Sequence, residues 1–292
     1  MLKNTVKTTV LLAGLGGLFV AIGGLLGGSG GAAIGLLIGL VLVGGSYWFS
    51  DKLALKAARA QIVTEEQAPD LYRMVARLAQ RAEIPMPVVA ISPALQPNAF
   101  ATGRNPKHAV VCCTQGILQS LSRDELEGVL AHELMHVKHR DILIGSIAAA
   151  IATGISYAAQ IAMFSAIFGG RDNDREGGFL GPLLVMILAP IAAGLMQMAI
   201  SRSREFDADR GGAKLLGTGE PLARALEHIE ATAKQTPPME VAPAQAYAWI
   251  HNPLSELKGS RNAQQARMAS LFSTHPPTAE RVRRLREMTH TH

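Results

Sequence analysis

Charge is scarce in this sequence. Asp, Glu, Lys and Arg make up 17% of its 292 residues, against about a quarter in an ordinary soluble domain. Cysteine is almost missing. The two that occur, Cys112 and Cys113, are adjacent, which excludes a small scaffold framed by disulfides. Neighbours on one strand point to opposite faces, so the pair closes no structural bridge. Aromatic residues are 5% of the chain and the formal charge is only +5. The basic residues are dispersed and not interleaved with aromatics, so no nucleic-acid partner is expected. Glycine is common, at 29 positions, but follows no triplet period, and hydrophobic residues reach 48%. A collagen-like chain and wholesale disorder are both excluded.

The missing charge is concentrated in long runs. Residues 8–49 contain no Asp, Glu, Lys or Arg. A spanning helix needs roughly 20 apolar residues, so this run holds two, near 8–26 and 32–49, with a break at Gly27-Gly28-Ser29-Gly30-Gly31. Its apolar length exceeds that of a cleaved signal peptide, and no Ala-x-Ala site follows. Glycines at 23, 27, 31, 35 and 39 keep the spacing of four that lets helices approach closely in lipid. Tyr47 and Trp48 stand where interfacial aromatics belong. Two further uncharged runs cover 142–170 and 177–201, the last interrupted by Pro190. A buried core hairpin is the competing reading of these two. Lysines and arginines flank the outer ends of all four runs: Lys3, Lys7, Lys52, Lys56, Arg59, Arg140, Arg202, Arg204 and Arg210. By the positive-inside rule both termini and both polar blocks face the cytoplasm.

The expected organisation is a two-helix transmembrane hairpin at 1–50, a cytoplasmic catalytic block at 51–141, a second transmembrane hairpin at 142–201, and a cytoplasmic block at 202–292 that completes the site. In the first polar block, Thr64-x-x-Gln67 reads as a capping box opening a helix to about Glu83. The stretches 88–92 and 109–114 read as strands. Between them Asn98, Ala99, Phe100, Ala101, Thr102 and Gly103 form a third, edge strand. Ser122-x-x-Glu125 caps a helix that runs through His139. Segment 232–271 has weak periodicity and is expected to be mobile.

The chemistry centres on His132-Glu133-Leu134-Met135-His136. Positions i and i+4 of a helix share a face, so His132 and His136 can bind one Zn²⁺. Zinc lowers the pKa of a bound water to about 7, and Glu133 stands where it can take that proton as general base. Two protein ligands leave zinc short of the usual three plus water. His139, Asp141 and Glu205 are the candidates for the third. Asp141 can alternatively orient a ligand. Glu205 and Asp209 share a helical face in Ser201-Arg-Ser-Arg-Glu-Phe-Asp-Ala-Asp209, so Glu205 can ligate while Asp209 supports a neighbour. The bulk of Leu134-Met135 is expected to narrow the site, and Gly211-Gly212 to weaken the helix after Asp209.

This set of segments, in this order, resembles the HtpX-type membrane zinc metalloproteases of the M48 group. The segments are the His-Glu-Leu-Met-His motif, two uncharged runs, then Ser-Arg-x-x-Glu-Phe-x-Ala-Asp. Asn98-Ala-Phe-Ala-Thr-Gly103 matches that family's segment before the catalytic helix, and Ser273-Thr-His-Pro-Pro277 its C-terminal segment. The resemblance implies zinc held by His132, His136 and Glu205, with Glu133 as base. Through the related CAAX prenyl endopeptidases it implies that His275 stabilises the developing oxyanion and that Arg281 pairs with Asp209. It also implies that the Asn98–Gly103 strand binds substrate backbone by strand addition. Arg281 can instead belong to the basic face with Arg283, Arg284 and Arg286, and His275 can be a helix cap.

The expected fold is a mainly α membrane protein, four transmembrane helices carrying a zincin-like α+β domain with a small sheet. The expected activity is a zinc endopeptidase, one Zn²⁺ per chain, in the bacterial inner membrane. It cleaves misfolded or damaged membrane proteins at the cytoplasmic side, and self-cleavage is foreseen. An intramembrane site-2-type protease would need its His-Glu-x-x-His inside a span, which this chain lacks. A zinc-stabilised scaffold would close all four metal positions with protein ligands, often cysteines.

Overall fold

The computed structural model describes residues 2–142, 202–233 and 276–289, part of the first helix by its backbone only. Helix α1 (Leu2–Trp48) is not straight. Gly28 adopts a left-handed φ of 60°. A side-chain carbon on Gly23 would collide with the Gly31 carbonyl, and one on Gly35 with that of Phe19. Residues eight apart in a straight helix are about 12 Å apart. The chain therefore doubles back at Gly28, and glycines spaced by four line the contact. By length and hydropathy together, no helix among the described residues is long and apolar enough to cross a membrane. The runs at 143–170 and 177–201, and most of segment 232–271, lie outside the described residues.

A four-stranded sheet anchors the first polar block. Its strands are β1 (Gln61–Ile62), β2 (Val88–Ser92), β3 (Ala99–Gly103) and β4 (Ala109–Thr114), in the order β1-β2-β4-β3. β2 and β4 are parallel, while β1 and β3 are antiparallel to their neighbours. β3 is thus an edge strand, as its sequence suggests. Cys112 and Cys113 are buried on opposite faces. Cys113 joins the main core with Val89 and Val111, whereas Cys112 packs with Ala90 and Val110. Leu55 of helix α2 (Ser50–Ala57) lies against that second cluster.

Helix α3 (Pro69–Arg81) starts later than the Thr64-x-x-Gln67 pattern predicts. Gln67 does reach back to accept from the Thr64 N–H at 2.9 Å, but this closes a turn rather than a helix. Ala68 precedes a proline and is pushed out of the helical region, at φ −143° and ψ 65°. The helix begins at Pro69, the position proline tolerates best. It buries Leu71, Val75 and Leu78. Helix α4 (Gln115–Ser120) comes directly after β4. Helix α5 (Arg123–His139) carries the complete capping box between Ser122 and Glu125. Its apolar residues Val129, Leu130 and Leu134 are fully buried.

Helices α6 (Arg202–Leu216), α7 (Glu220–Ala233) and α8 (Thr278–Thr289) complete the described chain. α5 packs against both α6 and α7, and α8 against α7 and α6. A side chain at Gly128 would strike the backbone at Pro221 and Leu222, so this glycine sets the α5–α7 distance. The two polar blocks thereby form one core in which α5 is central.

Thr114 ties the sheet to helix α4. Its buried hydroxyl accepts from Asn98 N–H at 2.9 Å and Ile117 N–H at 3.2 Å, and donates to the Gln96 carbonyl at 2.8 Å. One oxygen caps α4 and fixes the entry to β3. Thr114→Val should strand two buried N–H donors and cost about 2–4 kcal/mol of stability. Chemical denaturation of the detergent-solubilised chain checks this, and a loss below about 0.5 kcal/mol would contradict it.

Candidate active site

The capping box starts α5 at Arg123, and its helical rise places His132 and His136 one turn apart on one buried face. Their Nε2 atoms lie 3.2 Å apart with the rings nearly perpendicular. Glu205 enters from α6. Its carboxylate oxygens are 3.7 Å from His132 Nε2 and 3.5 Å from His136 Nε2. A tetrahedral ion with bonds of 2.0–2.2 Å separates its ligand atoms by roughly 3.3–3.6 Å. His132 Nε2 faces Oε2 and His136 Nε2 faces Oε1, and one ligand atom from each of the three residues lies within 4.8 Å of the others, close enough to converge on one ion. Among the described residues, these three are the group that could hold a metal ion. His139 stands outside it, and Asp141 approaches the other nitrogen of His136. Of the three sequence candidates for the third ligand, Glu205 is the one that joins the two histidines in this group.

Each imidazole has its own carboxylate on the outer nitrogen. Asp209 Oδ1 is 2.9 Å from His132 Nδ1, and Asp141 Oδ2 is 3.4 Å from His136 Nδ1. Protons held at both Nδ1 atoms leave both Nε2 lone pairs for the metal. Asp141 reaches His136 because α5 ends in a Schellman turn. Asp141 N–H donates to the His136 carbonyl, Arg140 N–H to that of Val137, and Arg140 takes a left-handed φ of 61°.

Arg281 of α8 holds Asp209 with two hydrogen bonds, Nε to Oδ2 at 2.9 Å and Nη2 to Oδ1 at 2.7 Å. The residue is 2% exposed. It does not belong to the basic face with the exposed Arg283 and the half-buried Arg284 and Arg286, which pair with Glu280, Glu287, Glu220 and Glu227. Burial alone would raise the Asp209 pKa, but Arg281 and His132 outweigh it and hold the carboxyl down at about 2. Asp209 therefore stays ionised at any working pH.

Glu133 is buried beside the two imidazoles. Its Oε2 accepts from the Ala101 N–H of β3 at 3.0 Å. Burial pushes its pKa up against the pull of His132 and His136, so it is a stronger base than a solvated carboxylate. Burial also disfavours a charge on His136. The hydrogen bond that its Nδ1–H donates to Asp141 and the Glu205 and Glu133 carboxylates overcome it, pushing the pKa up to about 9.

A model of Peptidase family M48 matches residues 65–289. The chain belongs to peptidase family M48. It is 53% identical over 289 residues to a protein named Protease HtpX homolog from Persephonella marina, covering 98% of this chain and 97% of that one. A second Protease HtpX homolog, from Burkholderia thailandensis, is 52% identical over 291 residues, with 99% and 98% covered. Among solved structures, the crystal structure of S. mikatae Ste24p shares the fold at a TM-score of 0.51 and 19% identity. The alignment takes in 97% of this chain and 66% of that one. This M48 protein is accordingly a metalloprotease, its metal is zinc, and His132, His136 and Glu205 offer the donor set.

The packing around the M48 site corrects one expectation from sequence and gives another its reason. Met135 does not narrow the site. It packs away from the ligands, against Ala82, Ala208 and Gly211, and Leu134 is buried in the main core. Gly211-Gly212 is a packing device: a side chain at 211 would strike Met135, and one at 212 would press within 3.1 Å of the His132 backbone. Two features of the site have no counterpart in the sequence pattern. One is the Ala101–Glu133 bond, which no side-chain spacing announces. The other is the burial of Arg204, 3.8 Å from Asp141. His275 lies outside the described residues.

Metal binding should report both the orienting carboxylate and the raised histidine. Asp209→Asn should weaken zinc affinity about 10–100-fold in a chelator competition, and unchanged affinity would remove Asp209 as the orienting group. A zinc ligand must be deprotonated. Because the His136 pKa is raised to about 9, the imidazolium stabilises the zinc-free fold fully below its ordinary pKa of about 6.5. That contribution is lost as pH rises through 9. Zinc affinity should therefore climb by up to about tenfold per pH unit over that window. A flat titration would contradict the assignment.

Proposed function

We propose that this protein is a membrane-embedded zinc endopeptidase that hydrolyses peptide bonds of misfolded or damaged membrane proteins at the cytoplasmic face of a bacterial inner membrane. The observation that carries the reading is the convergence of His132, His136 and Glu205 into one group able to hold a metal ion, with the buried Glu133 beside it. The edge strand β3 borders the same site. The four uncharged runs and their basic flanks support four spans with both termini and the active site cytoplasmic. Substrate class rests on the family resemblance.

When bound, zinc supplies a Lewis acid for the scissile carbonyl and an acidified water. The chain's residues do the rest. Glu133, anchored through Oε2, has Oε1 for the proton of the attacking water and passes it to the leaving amine. Asp209 and Asp141 keep the two imidazoles in the ligating tautomer. Arg281 keeps Asp209 ionised. His275 donates to the developing oxyanion. Ala99, Ala101 and Gly103 face the open side of β3, with Asn98, Phe100 and Thr102 between them. That side receives an extended peptide as an added strand. Substrates are unfolded segments because only an extended backbone fits such an edge. Segments of this chain itself meet the same criterion, which makes self-cleavage part of the proposal.

The test is purification in detergent with zinc analysis and casein cleavage. Glu133→Gln should keep about one zinc and lose about 10²–10⁴-fold in cleavage rate. Glu205→Ala should lose zinc and activity together. Retained proteolysis in Glu133→Gln would remove Glu133 as base. Unchanged zinc in Glu205→Ala would return the third ligand to another residue.

A further inference from the structure

The hydrogen bond between the Ala101 N–H and Glu133 assigns that backbone group a task. In an antiparallel pair, successive residues turn their N–H and C=O groups alternately toward and away from the partner strand. The Asn98 carbonyl accepts from Thr114 N–H of β4 at 2.9 Å, so Asn98, Phe100 and Thr102 face β4. Ala99, Ala101 and Gly103 face the open side. Of these outward groups, the Ala101 N–H is the one that meets the catalytic helix, 3.0 Å from Glu133 Oε2. β3 is held against β4 by a full register of five residue pairs. The N–H is therefore as rigidly placed as the sheet itself.

We infer that the Ala101 N–H is a positioning group for catalysis: it fixes the rotamer of Glu133 so that Oε1 faces the water to be deprotonated. Three observations carry this. Glu133 is 6% exposed, so bulk solvent has little access to its carboxylate and protein groups dominate its placement. Its hydrogen-bond donor is backbone, which cannot rotate away. The donor belongs to the strand that borders the metal site, so base and peptide-binding edge share one rigid element. The inference rests on Glu133 being the base, as proposed above. It also divides the outward groups of β3: Ala99 serves the incoming peptide, and the Ala101 N–H serves the base.

Proline removes one N–H, and an edge strand accepts it where that N–H points away from the ladder. Ala101→Pro meets this condition, as does Ala99→Pro. With the full chain in detergent, zinc content, kcat and KM are measured on a fluorogenic peptide. Ala101→Pro should keep about one zinc, lower kcat about 10–100-fold, and leave KM within about twofold. Ala99→Pro should instead raise KM with kcat little changed. An unchanged kcat in Ala101→Pro overturns the inference. A raised KM with unchanged kcat also overturns it and gives that N–H to the substrate. An unchanged KM in Ala99→Pro strikes the strand-addition reading and leaves the positioning role standing. Should Ala101→Pro lose zinc, replacing Ala101 by lactate, which puts an ester oxygen in place of the N–H, decides. The same kcat loss with zinc retained supports the inference, and full activity refutes it.

Discussion

Everything in the described site depends on balancing buried negative charge. Glu133, Glu205, Asp209 and Asp141 are all 7% exposed or less, and Arg204 and Arg281 are the buried cations among them. Four carboxylates against two guanidiniums leave two negative charges if both imidazoles are neutral. Isolated charges in a protein interior cost several kcal/mol each, so the excess must be met. The elevated pKa of His136, at about 9, is one response: the site recruits a proton. A divalent ion is the other, and it meets the excess at the point where the two Nε2 atoms and Glu205 converge. The same electrostatics explains why proton and metal compete there.

That balance dictates the topology. The two histidines and the base lie on α5, the carboxylates Glu205 and Asp209 on α6, and the guanidinium of Arg281 on α8. The charges are brought into contact only when both polar blocks close over one core. Arg281 is 72 residues from Asp209 in sequence, yet its two short bonds to that carboxylate make α8 part of the site. α8 is held in turn by Arg286, which bridges to Glu220 and Glu227 of α7, and by Arg284 stacked over Phe206 of α6 at 3.8 Å. These exposed contacts contribute little individually. They tie α8 to α7 and α6 on either side of the buried Arg281.

Much of this is legible in the chain because it is local. The capping box at Ser122, the i, i+4 pairs His132–His136 and Glu205–Asp209, and the three strands are readable from spacing alone. What is not legible is non-local or carried by the backbone. The Thr64–Gln67 signal forms its hydrogen bond but cannot overcome a proline five residues on. Met135 misleads because its direction depends on which helix packs beside α5. The Ala101–Glu133 bond uses a backbone donor whose orientation depends on strand register, and register emerges only once β3 and β4 are paired. Arg204 gives no signal separable from the surrounding basic residues.

The glycines after Asp209 show how helix propensity yields to this constraint. Two adjacent glycines in a helix interior cost about 0.8–1 kcal/mol each relative to alanine. They nevertheless stand in α6 shortly after the residue that orients His132. A methyl group at 212 would press on the His132 backbone, and one at 211 on the Met135 side chain. Both would drive α6 away from α5. The carboxylate of Asp209 meets Nδ1 at 2.9 Å, and a retreat of about half an ångström would weaken that bond to the length of the Asp141–His136 contact. The Glu205 carboxylate would retreat from both imidazoles in the same movement. Local helix stability is lost so that two helices approach closely enough for their side chains to share one ion. This is why a pattern that reads as a weakness in α6 taken alone is a requirement of the pair.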